Sequence, residues 1–382
     1  MKTYDEINEK IRKGTVVVVT AEELIDRVAE QGVQKAAEQV DVVTTATFGP
    51  MCSSGAFLNF GHSDPPIRMA NIWLNDVSAY GGLAAVDTYI GATQPSETRG
   101  IEYGGAHVIE DLIAGNPIRL RALSPGTDCY PRKEIETTVT LDDLNQAYLY
   151  NPRNAYQNYG VAVNSSSRTL RTYMGCLLPG YGNATYSTSG ALSPLLKDPD
   201  MRAIGVGTRI LLGGGVGYVA WEGTQFTRGH QTYEDGQTRN AGATLALIGD
   251  LRGMNTRYLR AATYEGYGVT MLVGVGVPIP MLDQALCAQL AVGNDRLFTH
   301  IFDYSQPTRS RTPLGRVSYA QLRSGSLELN GKTIRTAPLS SLKVAREIAA
   351  LLGESIRKGE FFVQEPVAPL PMDRITKTLE IR

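Results

Sequence analysis

The chain has 382 residues, with 37 Lys plus Arg against 38 Asp plus Glu. That length is enough for one large domain or two ordinary ones, with a core that needs no disulfide or metal staple. The near-neutral charge leaves no electrostatic footprint for a nucleic acid or an anionic membrane. The opening MKTYDEINEKIRKG mixes charges, and no later run approaches the ~20 apolar residues of a membrane helix. The expectation is a soluble, cytoplasmic protein with reduced thiols.

In chain order, TVVVVT (Thr15 to Thr20) reads as a short β-branched strand. Thr20 with Glu23 forms a capping-box signal for a helix through Val28, and VDVVTTATF (Val40 to Phe48) reads as a second buried strand. This alternation suggests a largely parallel sheet. ATLALIGD (Ala243 to Asp250) and GVTMLVGVGVPIP (Gly268 to Pro280) read as buried strands, the second followed by an apolar helix that makes Cys287 structural. Asn330-Gly331 inside LELNGKTI signals a hairpin. Leu342, Ala345, Ile348, Ala349 and Leu352 recur at helical spacing as a packed face. The fold expected is α/β, with a mixed or mostly parallel sheet, flanking helices, Gly-rich active-site loops and a C-terminal hairpin and helix. One domain covers residues 1–365, and Pro366, Pro369 and Pro371 mark a tail, 366–382, running over the surface.

The four cysteines are Cys52, Cys129, Cys176 and Cys287. No two have the CxxC spacing of a zinc ribbon, thioredoxin motif or iron-sulfur ladder, so no metal or cofactor is expected from the chain's own motifs. Cys129 stands out, because LSPGTDCYP (Leu123 to Pro131) is built of turn formers. Arg119, Arg121, Arg132 and Lys133 flank it, and cations favour the thiolate of a group that otherwise ionises near pH ~8.5. The alternative is a thiol packed under a loop. GPMCSSGAFLNFGHSDPP (Gly49 to Pro66) reads as a polar loop at the carboxyl end of a strand, where α/β sheets place ligands. It offers Cys52, Ser53, Ser54, His62 and Asp64. Cys52 is either a relay or resolving thiol for Cys129 or a loop cysteine, and His62 an acid/base or a hydrogen-bonded structural residue. GGGVG (Gly213 to Gly217) does not match a dinucleotide loop. Its amides, those of Gly214 and Gly215 above all, either cradle a substrate carboxylate or an oxyanion or belong to a glycine-rich bend.

VVTAEEL (Val18 to Leu24), Asp41 to Pro66, Leu74 to Gln94, SPGTDCYPRKEIET (Ser124 to Thr137) and GGGVGYVAWEGTQ (Gly213 to Gln225) together resemble the homocysteine-biosynthesis family. The resemblance implies an L-aspartate semialdehyde sulfurtransferase that carries sulfur as a persulfide on Cys129, with Cys52 in a second shared motif. It also implies a ferredoxin-like iron-sulfur partner. Many members append two CBS modules, and this sequence shows none.

Turning an aldehyde into a thiol takes sulfide or another sulfur donor and two reducing equivalents, so an external low-potential electron donor is expected. On this reading Arg132 and Lys133 hold the substrate carboxylate. Asp128 orients a proton or the substrate amine, or else caps a turn. Two rivals stand beside it: a cysteine hydrolase or acyltransferase pairing Cys129 with His62 or His107, and a non-catalytic sulfur carrier docking the ferredoxin-like protein. The sequence leaves open whether the chain forms a homo-oligomer.

Overall fold

The computed structural model describes residues 1–154, 160–225, 243–308, 311–372, 376–377 and 379–381. Its longest strand, Gly268–Pro280, is buried along nearly its whole length. Val269, Met271, Val273, Val275, Val277 and Ile279 are at most 1 % exposed. A strand covered on both faces reads as a continuous apolar run, which is why this segment was legible. Along one edge it pairs antiparallel with Val42–Pro50, from Val42 opposite Pro280 to Pro50 opposite Leu272. Its other ladders are antiparallel too, with Leu259–Tyr264 and Arg209–Leu212. The sheet continues through Gly215–Glu222, Leu245–Asp250, Gln146–Asn154 and Gly55–Asn59 to Asp87–Gly91, and Val18–Thr20 closes the opposite end.

The helix Leu342–Arg357 lies across this central ladder and buries Ala345, Ile348, Ala349, Leu352 and Ile356. Gly274 and Gly276 let it approach. A Cβ at Gly274 would stand 2.7 Å from Ile348 Cδ1, and one at Gly276 would stand 3.1 Å from Ile348 Cγ2. The spaced glycines of LVGVGVP are therefore a helix-docking face, not a binding loop.

A second sheet runs in the order Glu134–Val139, Ile118–Leu123, Asn71–Leu74, Val77–Ala79, Pro95–Ser96, Gly100–Gly104. A third contains Gly315–Ser318, Phe298–Asp303, Val161–Val163, Ala184–Tyr186, Lys332–Pro338 and Ser326–Leu329. The architecture is α/β with mixed sheets, the first of the two alternatives expected, and the parallel pairing suggested by the β/α alternation near the start is the minority. Among the described strands, parallel ladders join only Val18–Thr20 to Val42–Pro50, Val161–Val163 to Phe298–Asp303 and Ala184–Tyr186 to Lys332–Pro338. Many neighbours are linked by tight turns, and a parallel pair needs a crossover of a dozen or more residues.

Several local readings hold. Thr20 and Glu23 complete both halves of a capping box, and the helix they start runs on from Ala21 to Gln31. Asn330 and Gly331 adopt φ of 51° and 72° at the turn of the C-terminal hairpin, the left-handed pair that a two-residue hairpin requires. Cys287 is fully buried on the helix Gln284–Leu290. The tail is tied down more than expected. Val206 N–H donates to the Ala368 carbonyl at 3.0 Å, Val367 N–H returns to Val206 at 2.9 Å, and Leu370 is buried.

Lys197 is fully buried where the main core meets the smaller core of the third sheet. Its ammonium nitrogen donates to the carbonyls of Leu290 at 2.7 Å and Val292 at 2.6 Å, just past the C-terminus of the helix Gln284–Leu290. Burial lowers its pKa to about 7, so the folded state resists a proton that the unfolded chain binds up to its ordinary value. The unfolded state thus binds more protons between about pH 7 and 10, and this group's contribution to stability rises with pH across that window. Denaturant titrations should show the deficit of Lys197→Met to be larger at pH 9 than at pH 7. A deficit independent of pH would mean that Lys197 stays fully protonated in the fold.

Candidate active site

Cys129 lies in the ten-residue connection between Ile118–Leu123 and Glu134–Val139, paired antiparallel from Leu123 opposite Glu134. Ser124 N–H donates to the Lys133 carbonyl at 2.8 Å and closes the base. At the tip, Thr127 and Tyr130 exchange backbone hydrogen bonds of 2.9 and 3.1 Å. Asp128 and Cys129 are left as the two central residues of a tight turn, both exposed. Gly126 turns the chain at φ 79°, with the Lys133 stem against it. The turn is capped by Thr127 Oγ1, which accepts from Tyr130 N–H at 3.1 Å. Asp128 makes no hydrogen bond among the described residues, so it is not the cap.

The loop after Gly55–Asn59 packs beside this turn. His62 stacks on Tyr130, with centroids 6.1 Å apart and planes 23° apart. Arg132 Nε and Nη2 donate to the carbonyls of Pro65 at 2.9 Å and Asp64 at 2.7 Å, and Arg132 N–H donates to Pro66. Arg132 thus clamps two loops together through the main chain. The other flanking cations are neutralised locally. Arg119 pairs with Asp76 and Glu136, while Arg121 faces Glu134 at 3.9 Å and lies over the Trp73 ring. Lys133 is exposed and makes no ion pair among the described residues. An open groove of about 420 Å³, lined by His62, Arg132, Glu134, Glu136 and Thr137 among others, runs alongside.

The segment Gly49 to Pro66 is not one loop. The strand Gly55–Asn59 divides it, paired on both edges with Gln146–Asn154 and Asp87–Gly91. Cys52 precedes this strand and His62 follows it, so the two cysteine regions lie at opposite ends of an element roughly 13 Å long. No contact joins Cys52 to Cys129 among the described residues.

Cys52 has its own surroundings. The central ladder ends at Pro50, Met51 N–H donates to the Met271 carbonyl at 2.7 Å, and Cys52 and Ser53 form the centre of a turn closed by Ser54 N–H to Met51 at 3.1 Å. Ser54 is buried. Its hydroxyl donates to the Met51 carbonyl and accepts from Asn151 Nδ2, both at 2.7 Å. Half-buried Cys52 lines a cavity of about 20 Å³ with Tyr173, Met174, Ser187, Tyr264, Tyr267 and Thr270. Burial, then the charge of Cys52, push the Tyr264 phenol up to about 12. The same causes raise Tyr267. Sequence reasoning missed these side chains. The one signal was TYEGYG, two tyrosines bracketing a turn just before the longest buried strand.

Gly213 and Gly214, at φ 59° and 93°, form the two-residue turn between Arg209–Leu212 and Gly215–Glu222. A Cβ at Gly215 would stand 2.6 Å from the Gly253 carbonyl oxygen, so the cluster packs against Leu251–Gly253. His107 Nδ1 accepts from Gly104 N–H at 3.1 Å and caps its helix, and burial lowers its pKa. No hydrogen bond links His62 or His107 to Cys129 among the described residues. Cys176 is exposed on the hairpin Leu170–Thr172/Gly175–Leu177. No group of three or more His, Cys, Asp or Glu side chains among the described residues is placed to hold a metal ion.

Two thiols are thus held on tight turns, one open to solvent and one half-buried beside a small cavity. Residues 16–363 match the family described as homocysteine biosynthesis enzyme, sulfur-incorporation, and the chain belongs to that family. It is 52 % identical over 379 residues to the L-aspartate semialdehyde sulfurtransferase of Methanosarcina acetivorans, covering 99 % of this chain and 74 % of that protein. It is 50 % identical over 385 residues to the protein of the same name from Methanocaldococcus jannaschii, covering 97 % and 73 %. An uncharacterized protein of Methanothermobacter thermautotrophicus is 30 % identical over 332 residues, covering 84 % and 72 %. No solved structure matches.

Arg132→Met removes the clamp and leaves the turn's own hydrogen bonds in place. Allowing for its partial exposure, hydrogen exchange at residues 62–66 and 126–132 should report a local loss of about 1–2 kcal/mol, with protection of the central ladder unchanged.

Proposed function

We propose that this chain is a sulfurtransferase that converts L-aspartate semialdehyde to L-homocysteine. The observation that carries the reading is the near-full-length identity with the two relatives bearing that activity as their name. Overall, one aldehyde, one hydrogen sulfide, two electrons and two protons give one thiol and one water. The carbonyl carbon is reduced and gains a carbon–sulfur bond, and its oxygen leaves as the water. The electrons come from an external low-potential donor, for which a ferredoxin-like iron-sulfur protein is the proposed partner.

Cys129 carries the sulfur as a persulfide. Its place on an exposed turn suits exchange with a persulfide-bearing donor protein: the Cys129 thiolate takes the donor's sulfane sulfur and the donor's thiolate leaves. The outer sulfur adds to the aldehyde carbon, and four electrons and four protons then release the homocysteine thiol, one water and the free Cys129 thiol. That is two electrons more than the route from sulfide, because sulfane sulfur is two electrons more oxidised. The groove beside the turn is within the size range of ligand sites. Arg132 keeps its charge beside the carbonyls it clamps, and Glu134 and Glu136, whose pairs with Arg121 and Arg119 are long and exposed at 3.9 and 3.7 Å, stay open to an amino acid's ammonium. Lys133 adds a second cation at the rim. With a strand between the two thiols, Cys52 acts from its own cavity and does not resolve Cys129 directly. A hydrolase is disfavoured because a nucleophile and base need hydrogen-bond reach.

Anaerobic incubation with aspartate semialdehyde, a low-potential reductant and either sulfide alone or sulfide with polysulfide as the sulfane source should yield homocysteine by mass spectrometry, with the polysulfide arm reading the persulfide route through Cys129. Cys129→Ala should lower kcat by at least about 100-fold, the scale of losing a covalent nucleophile. A fully active Cys129→Ala removes the persulfide assignment. Absence of product from the wild type, with a ferredoxin-like partner present, removes the activity.

A further inference from the structure

The cavity beside Cys52 is lined by a buried hydroxyl that no described residue binds. Thr270 is 1 % exposed, lines the same cavity as Cys52, and its Oγ1 has no hydrogen-bond partner among the described residues. A buried polar group left unsatisfied costs about 1–3 kcal/mol and is normally paired in a native fold. The strand that carries it gives it no partner, although its backbone is fixed by pairing with Ala262. The phenols of Tyr264 and Tyr267 line the same space, and both resist ionisation, so each keeps its proton to donate.

Size and chemistry limit the occupant. About 20 Å³ is just above the ~10–15 Å³ that one water needs, so the cavity admits one heavy atom and excludes an amino-acid-sized aldehyde. Among the described residues the lining includes no lysine, arginine or histidine, which disfavours an anion that burial would strip of water without a counter-charge. Aromatic faces, Met174 and the Cys52 thiol make the wall soft and polarizable.

We propose that this cavity is a binding site for dissolved sulfide in its neutral form, hydrogen sulfide, held between the Thr270 hydroxyl and the tyrosine phenols beside the Cys52 sulfur. The inference rests on the sulfurtransferase reading and adds to it a place where the inorganic sulfur waits, apart from the groove offered to the aldehyde. Thr270 is the residue that positions it. No bond is made or broken in this step.

The test needs neither aldehyde nor reductant, so it stands even if turnover fails. Wild-type protein is alkylated anaerobically with iodoacetamide, with and without sodium hydrosulfide, and labelling at Cys52 and Cys129 is compared by peptide mass spectrometry in the same tube. Cys129 reports how much reagent sulfide itself consumes. At sulfide roughly ten times above its dissociation constant, Cys52 labelling should slow about tenfold relative to Cys129. Thr270→Val, equal in shape, should abolish the protection, and Thr270→Ser should keep it. In turnover, Thr270→Val should raise the KM for sulfide and leave that for the aldehyde unchanged. An unchanged Cys52 to Cys129 ratio, protection that survives in Thr270→Val, or equal protection by chloride would overturn the proposal and leave an ordinary water or small-ion site.

Discussion

The antiparallel ladder between Val42–Pro50 and Gly268–Pro280 is the constraint on which the rest depends. Its register fixes where the first strand must stop, at Pro50 opposite Leu272, and so delivers Cys52 beside Thr270. Side chains on a strand repeat every two residues, so a slip of one residue would send the buried set to the opposite face. Helix Leu342–Arg357 guards against such a slip, because Ile348 fits only where Gly274 and Gly276 leave room. A sequence-distant helix therefore helps to set the position of the thiol.

What could be read in the chain follows from how local each determinant is. Capping by Thr20 and Glu23, the Asn330-Gly331 turn and the apolar run 268–280 are written in neighbouring residues. Strand direction is not, since it is decided by which distant segment pairs with which, and so the sequence left a mixed and a mostly parallel sheet both open. The stretch Gly49 to Pro66 was read as one loop because its serines and glycines look like turn formers. Pairing with two strands from elsewhere makes Gly55–Asn59 a strand all the same.

The candidate site divides in the same way. Turn chemistry around Cys129 foretold an exposed thiol, and the fold puts it at the centre of a two-residue turn. The charge argument was weaker, since Arg119 and Arg121 meet carboxylates on an adjoining strand and a neighbouring turn that are far off or unmarked in the sequence. The tyrosine wall around Cys52 comes from two distant segments, Tyr173 on one and Tyr264 and Tyr267 on the other, and no spacing rule joins them.

Arg132 grips carbonyl oxygens and no side chain of the facing loop. A contact that reads only the main chain is indifferent to the letters written at positions 64 and 65, provided the loop keeps its path. It is demanding of the arginine, whose two donors are set at a fixed angle that a lysine lacks. Substitutions accumulating over descent should therefore be lopsided across this joint, freer on the side that offers oxygens and sparse on the side that supplies the fork.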